Sequence, residues 1–156
     1  MKIFKSLLFC LLAGFTANAQ SADEALLEKA RKIHEKVITI DTHNDINVEN
    51  FTAEKNYTQD LDSQITLPKM EKGGLDVTWL IVYTGQEELN EEGYQKAYEN
   101  AISKFEAIHR LTEEIAPEHI QLATTSQEVR DILASGKKVA MIGVENGYPI
   151  GTEIGR

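Results

Sequence analysis

The stretch "VITIDTHNDINVENF", residues 37–51, runs from apolar residues straight into Asp41, His43 and Asp45. A second stretch, "KVAMIGVENGYPIG" from residue 138, ends its apolar part on Glu145. Carboxylates and an imidazole at the ends of apolar runs are costly to hold together unless something compensates them. A divalent cation is the first candidate, and mixed nitrogen and oxygen donors favour zinc. Each stretch also has a blander reading. Asp41 and Asp45 could form turns with His43 bonded to backbone, and Glu145 could turn into solvent through "NGYPIG". His-x-Asp alone is weak; two such strand ends together favour a metal site.

The elements that must carry these residues alternate between helix and strand. Ala22–Lys36 reads as a helix with Ser21 and Glu24 as a capping box. Val37–Thr42 is β-branched and short, a strand. Val48–Thr66 has no period and reads as a loop excursion, and Leu67–Lys72 as one or two helical turns before Gly73 and Gly74. Val77–Tyr83 ("VTWLIVY") is apolar throughout, as a strand covered on both faces should be. Tyr94, Ala97, Ala101, Ile108 and Leu111 recur at helical spacing, which predicts a helix over Glu91–Ala116 ended by Pro117. A short strand at 120–124 and a helix over Ser126–Ser135, capped by Ser126, precede the strand Lys138–Glu145. The remaining histidines, His34, His109 and His119, fall on helices or a loop and read as surface or capping residues.

Such alternation implies an α/β fold with parallel strands and right-handed crossovers. If extension persists, Asp41, His43 and Asp45 share one side of their strand, with Ile38 and Ile40 opposite, beneath helices. Met141, Gly143 and Glu145 share a face in the same way. Both polar sets then lie at carboxyl ends of parallel strands, where α/β folds place their active sites. Three strands do not close a (β/α)8 barrel, which typically needs about 250 residues. An open doubly wound sheet and a TIM-like barrel are both open to this alternation, and a chain that stops just past a strand reads as the N-terminal part of something longer.

The chain has 156 residues, 26% of them charged, with a formal net charge of −9. That acidity argues against nucleic acid or anionic lipid as a partner. Lys2 and Lys5, the apolar run 7–15 and Ala17-Asn18-Ala19 form the pattern of a cleaved signal peptide over residues 1–19. The run is too short for a membrane span of about 20 residues. Cleavage after Ala19 removes Cys10, the one cysteine, and leaves residues 20–156 without a possible disulfide. Bulky Phe9 before Cys10 speaks against a lipid anchor there. A secreted or periplasmic location follows.

"IDTHNDIN", "LPKMEKGGLDVTWLIVY" and "MIGVENGYPIG" resemble, in order and separation, the first landmarks of the membrane (renal) dipeptidase family of zinc peptidases. The resemblance covers essentially the whole chain after the leader. Its His-x-Asp also differs from the His-x-His with which other amidohydrolases usually open. It implies a (β/α)8 barrel holding two zinc ions that activate water for hydrolysis of dipeptides. By position His43 and Asp45 match ligands of one zinc, and Glu145 matches the carboxylate shared by both. Asp41 would orient His43 from behind. Thr42 stands where the motif commonly has glycine, and "VTWLIVY" lacks the family's usual glycines. Two further histidines would come from later strands, so these 156 residues alone are expected to be inactive. A homodimer is one arrangement open to the complete protein. Two other readings remain: a non-catalytic exported binding module, and another metal-dependent barrel hydrolase acting on a cyclic amide or phosphoester.

Overall fold

A computed structural model describes residues 23–152 and 155, and the chain divides into two units between Ile38 and Thr39. In the first unit residues 23–34 form helix α1, with Lys32 Nζ 3.3 Å from Glu28 one turn earlier. The expected leader over residues 1–19 and the Ser21 cap lie outside the described residues. The sheet and the candidate site belong to the second unit.

Strand β1 is Ile40–Asp45, three residues later than the expected Val37–Thr42. Val37 still belongs to the turn closing α1, where its N–H donates to the His34 carbonyl. β-Branched side chains favour extension, but a strand needs a partner, and Ile40 is the first residue in register with β2. After β1 come helix α2 (Leu67–Gly73), strand β2 (Val77–Tyr83) and helix α3 (Glu91–Arg110). Strand β3 (Ile120–Leu122), helix α4 (Ser126–Ala134) and strand β4 (Lys138–Glu145) complete the order. Helix α3 stops six residues short of the expected Ala116, and Leu111–Ile115 continue as a π-helical turn. Buried Thr112 bonds back to the carbonyls of Ile108 and His109, a contact that competes with regular α-helical geometry.

All four strands are parallel, in the order β1-β2-β4-β3. The chain passes beyond the place of β4 to lay down β3, then returns. With right-handed crossovers that reversal puts α3 and α4 on opposite faces. Packing agrees. Leu80, Val82 and Ala140 join the main core with Ala101, Ile108 and Leu111, whereas Val77 and Val139 on the other face pack with Val129 of α4. Central β2 is buried except at half-buried Trp79 and exposed Tyr83, as its apolar sequence leads one to expect.

The excursion Val48–Thr66 is irregular, as expected, apart from a 3-10 turn at Val48–Asn50, yet it is not merely a loop. Phe51, Tyr57 and Ile65 are buried in the main core, and the Phe51 and Tyr57 rings lie 4.6 Å apart. Each fully buried side chain of this size is worth about 1.5–3 kcal/mol, enough to hold a segment without secondary structure. Burial pushes the Tyr57 hydroxyl pKa up to about 12. At the amino ends of the strands Thr39 and Asp76 exchange hydrogen bonds, Thr39 N–H to Asp76 Oδ2 at 3.0 Å and Asp76 N–H to Thr39 Oγ1 at 2.9 Å. Lys138 Nζ lies 3.4 Å from the other Asp76 oxygen, so one carboxylate ties β1, β2 and β4 at their base.

The cap of α4 is Thr125, one residue before the expected Ser126. Thr125 Oγ1 accepts from the Glu128 N–H, and the Glu128 carboxylate accepts from the N–H groups of Thr125 and Thr124. The Thr124 bonds, backbone first, hold the Glu128 carboxyl below its ordinary pKa. Thr125→Ala should lower stability by about 1 kcal/mol in chemical denaturation. A carboxyl held low in the folded chain stabilises above its unfolded pKa and loses that contribution as pH falls through the folded value. The difference between wild type and Glu128→Gln should therefore shrink below about pH 4.

Gly143 has a steric reason. A Cβ there would stand 2.7 Å from Ile81 Cδ1 and 3.3 Å from the Trp79 ring. Gly143→Ala should cost about 1–3 kcal/mol by overpacking. Ile81→Val removes the offending methyl, so in a double-mutant cycle the pair should lose less than the sum of the single changes.

Candidate metal centre

β4 is in register with β2 along its whole length, from Val77 opposite Val139 to Tyr83 opposite Glu145. Odd-numbered residues of both strands therefore share one face, and Glu145 stands on it at the carboxyl end. β1 reaches that face by an irregularity. Asp41 is level with Thr78, but Asn44 is level with Leu80, so β1 carries one residue more than β2 over this interval. That is a β-bulge, a device that re-aims side chains beside functional sites. Continuous extension, as the sequence suggests, would put Asp45 level with Val82, on the face away from Glu145. The bulge sets it level with Ile81, on the same face. Asp41 stays on the other side, so the expected one-sided set of Asp41, His43 and Asp45 is not what forms. Ile40 is 55% exposed and is not covered by a helix as expected.

Three side chains come together. His43 Nε2 lies 3.0 Å from Glu145 Oε2 and 3.8 Å from Asp45 Oδ1. One ligand atom from each of the three lies within 4.8 Å of the others, and all three residues are exposed. Four-coordinate zinc with bonds of about 2.1 Å has neighbouring donors about 3.4 Å apart. The observed 3.0 and 3.8 Å bracket that separation, so the donor set fits a single divalent ion in both chemistry and spacing. Asp41 does not touch the His43 ring. Its Oδ1 accepts from the His43 backbone N–H at 3.1 Å, so it orders the bulge rather than the imidazole. His109 at the end of α3 pairs with Glu113 of the π-helical turn at 2.7 Å, and neither it nor His34 nor His119 belongs to the cluster.

Supporting contacts come from residues that sequence reasoning passed over. The Asp45 N–H donates to Gln64 Oε1 at 2.7 Å, so the excursion braces the bulge. Lys104, on α3, donates to the Tyr83 carbonyl at 2.6 Å, with its ammonium 5.8 Å from the centre of the Tyr83 ring. Burial pushes the Lys104 pKa down, and the nearby Asp45 charge opposes that shift. Asn44, buried in the bulge, donates from Nδ2 to Thr78 Oγ1 at 2.9 Å. Nothing in the spacing of Gln64 or Lys104 points to these roles. Asn146 carried a signal, since Asn-Gly after a strand marks a left-handed turn, and its φ is 80°.

A sequence profile of the membrane dipeptidases, peptidase family M19, matches residues 27–156. Among solved structures, the probable dipeptidase PvdM from Pseudomonas aeruginosa superposes with a TM-score of 0.74 at 17% identity, over 82% of this chain and 33% of that one. The dipeptidase AC, a metallopeptidase of family M19, gives 0.56 at 22% identity, over 74% and 37%. An amidohydrolase from Pseudomonas aeruginosa gives 0.52 at 18%, over 80% and 31%. The chain thus spans about a third of the length of the structures it matches, and their likeness is one of fold. Matched by the profile from Leu27 through both strand ends that carry His43, Asp45 and Glu145, this chain belongs to the membrane dipeptidase family.

Proposed function

We propose that His43, Asp45 and Glu145 bind zinc and form part of the centre of an exported dipeptidase. The observation that carries this reading is the convergence of one imidazole and two carboxylates on a single sheet face, in a chain of this family. When bound, the metal would supply Lewis acidity and an activated water for attack on a peptide carbonyl. The chain's own part is to hold donors. His43 offers Nε2, and Glu145, which touches it, has a second oxygen free to serve another ion. The two carboxylates offset the positive charge that peptide hydrolysis must gather here.

Family resemblance calls for two more histidines from later strands, making a centre of two zinc ions inside a closed barrel. His34, His109 and His119 do not fill those places. Residues 1–156 alone are therefore expected to bind metal without turning over dipeptides. Asp41, which orders the backbone at His43, would act on metal affinity through the bulge. Residues 1–19 act as a cleaved leader and place the protein in the periplasm or outside the cell, where short peptides are the substrates. Among the described residues no helix is long and apolar enough to cross a membrane.

Zinc binding tests the reading. In competition with a chromophoric chelator the chain should bind one zinc ion. His43→Ala and Glu145→Ala should each weaken it by more than about 100-fold, beyond the loss usual for residues behind the ligands. Equal affinity in wild type and both variants would remove the site. Dipeptide turnover by the 156 residues alone would show that the two further histidines are not needed.

A further inference from the structure

The chain beyond Glu145 is fastened with more care than a surface turn requires. Asn146 is the one non-glycine residue with positive φ among the described residues, a conformation side chains adopt only when something holds it. Its amide is used at both ends. Nδ2 donates to the Thr84 carbonyl at 2.8 Å, just past β2, and Oδ1 accepts from the Tyr148 N–H at 3.0 Å. The first bond ties the end of β4 to the end of β2. The second folds the chain back so that Tyr148 reaches α3.

Tyr148 completes the fastening. Its hydroxyl donates to the Glu88 carbonyl at 2.5 Å, and its ring lies 5.1 Å from that of Tyr94. A Cβ at position 93 would overlap both the Tyr148 hydroxyl and the Glu88 carbonyl oxygen, so Gly93 makes the room. Between these anchors Glu145 has little freedom of backbone. Its carboxylate is about half exposed, and its one ion-pair contact among the described residues is His43. Neither solvent nor packing aims the side chain, so the backbone must.

We infer that Asn146 is a positioning residue: by locking the turn after β4 to Thr84 and Tyr148 it sets the Glu145 carboxylate against His43. The inference rests on the metal reading for its functional meaning but not for its geometry. Asparagine suits the place because it tolerates positive φ and carries both a donor and an acceptor. Glycine would tolerate the φ and supply neither.

Asn146→Gly separates these contributions. Its metal-free melting temperature should stay within a few degrees of wild type, while zinc affinity falls by about tenfold or more. In metal-free chains at one fixed pH, the His43 ring ¹⁵N shifts should move from a hydrogen-bonded pattern toward that of free imidazole. Unchanged affinity together with unchanged His43 shifts overturns the inference. If wild type itself binds no zinc, the metal reading falls, and the His43 shifts alone decide the role of Asn146. Should the glycine variant fail to fold, Asn146→Ser keeps an acceptor for Tyr148 but cannot reach Thr84. It must show the same change in His43 shifts, or the tie to Thr84 is not what positions Glu145.

Discussion

One extra residue in β1 decides whether this sheet has a site at all. Without the bulge between Asp41 and Asn44, alternation would set both His43 and Asp45 on the face away from Glu145, and the three side chains would not meet. With it, both acids stand on one face of parallel strands that cannot slide, because β2 and β4 are paired from end to end. Two carboxylates held this close repel by about 1 kcal/mol in water and more wherever water is excluded. A cation bound between them would offset that repulsion. The bracing fits that view: Asn44 bonds inward to Thr78, Asp41 takes the His43 N–H, and Gln64 takes the Asp45 N–H.

The sheet divides its labour along the strand direction. At the amino ends Asp76 joins Thr39 and Lys138, and α4 closes the face over Val77 and Val139. These contacts are buried or half-buried and serve only stability. Toward the carboxyl ends the same face thins from Trp79 and Met141 to Gly143, then to the open group of His43, Asp45 and Glu145. Gly143 is where the change occurs. Its missing side chain lets Ile81 and Trp79 fill the space beneath, so the polar group stands on a packed floor rather than over a cavity.

Much of this was legible in the sequence, and the rest was hidden for identifiable reasons. β2 and β4 fall within their expected bounds because uninterrupted apolar runs have few places to go but the centre of a parallel sheet. His43, Asp45 and Glu145 could be singled out because charged groups ending apolar runs are rare without a purpose. The bulge could not be read. Alternation is a rule of unpaired geometry, and a bulge appears only when a partner's register is known. β1 began late for the same reason, since Val37 favours extension but has no strand to pair with. The excursion looked polar because Phe51, Tyr57 and Ile65 are spread too thinly to show a period, although all three are core. Cap positions moved by one residue at α4, where two adjacent hydroxyl residues compete and only Thr125 also lets Glu128 reach back.

Exposure is the remaining physical question for the cluster. The three side chains are each about half open to solvent, at 54% for His43, 57% for Asp45 and 48% for Glu145. In that setting the local dielectric is high, and three protein donors leave a bound ion with water on its other sides. Closed structural zinc sites have four protein ligands, and catalytic ones have three with an open position. A zinc ion held by these three donors would keep an open position, as catalytic sites do. The strand edges are also open above Ala140, since β3 pairs only with Lys138–Ala140, and Val144 is 62% exposed. An unpaired edge carrying an apolar residue is a surface that more protein would cover with gain.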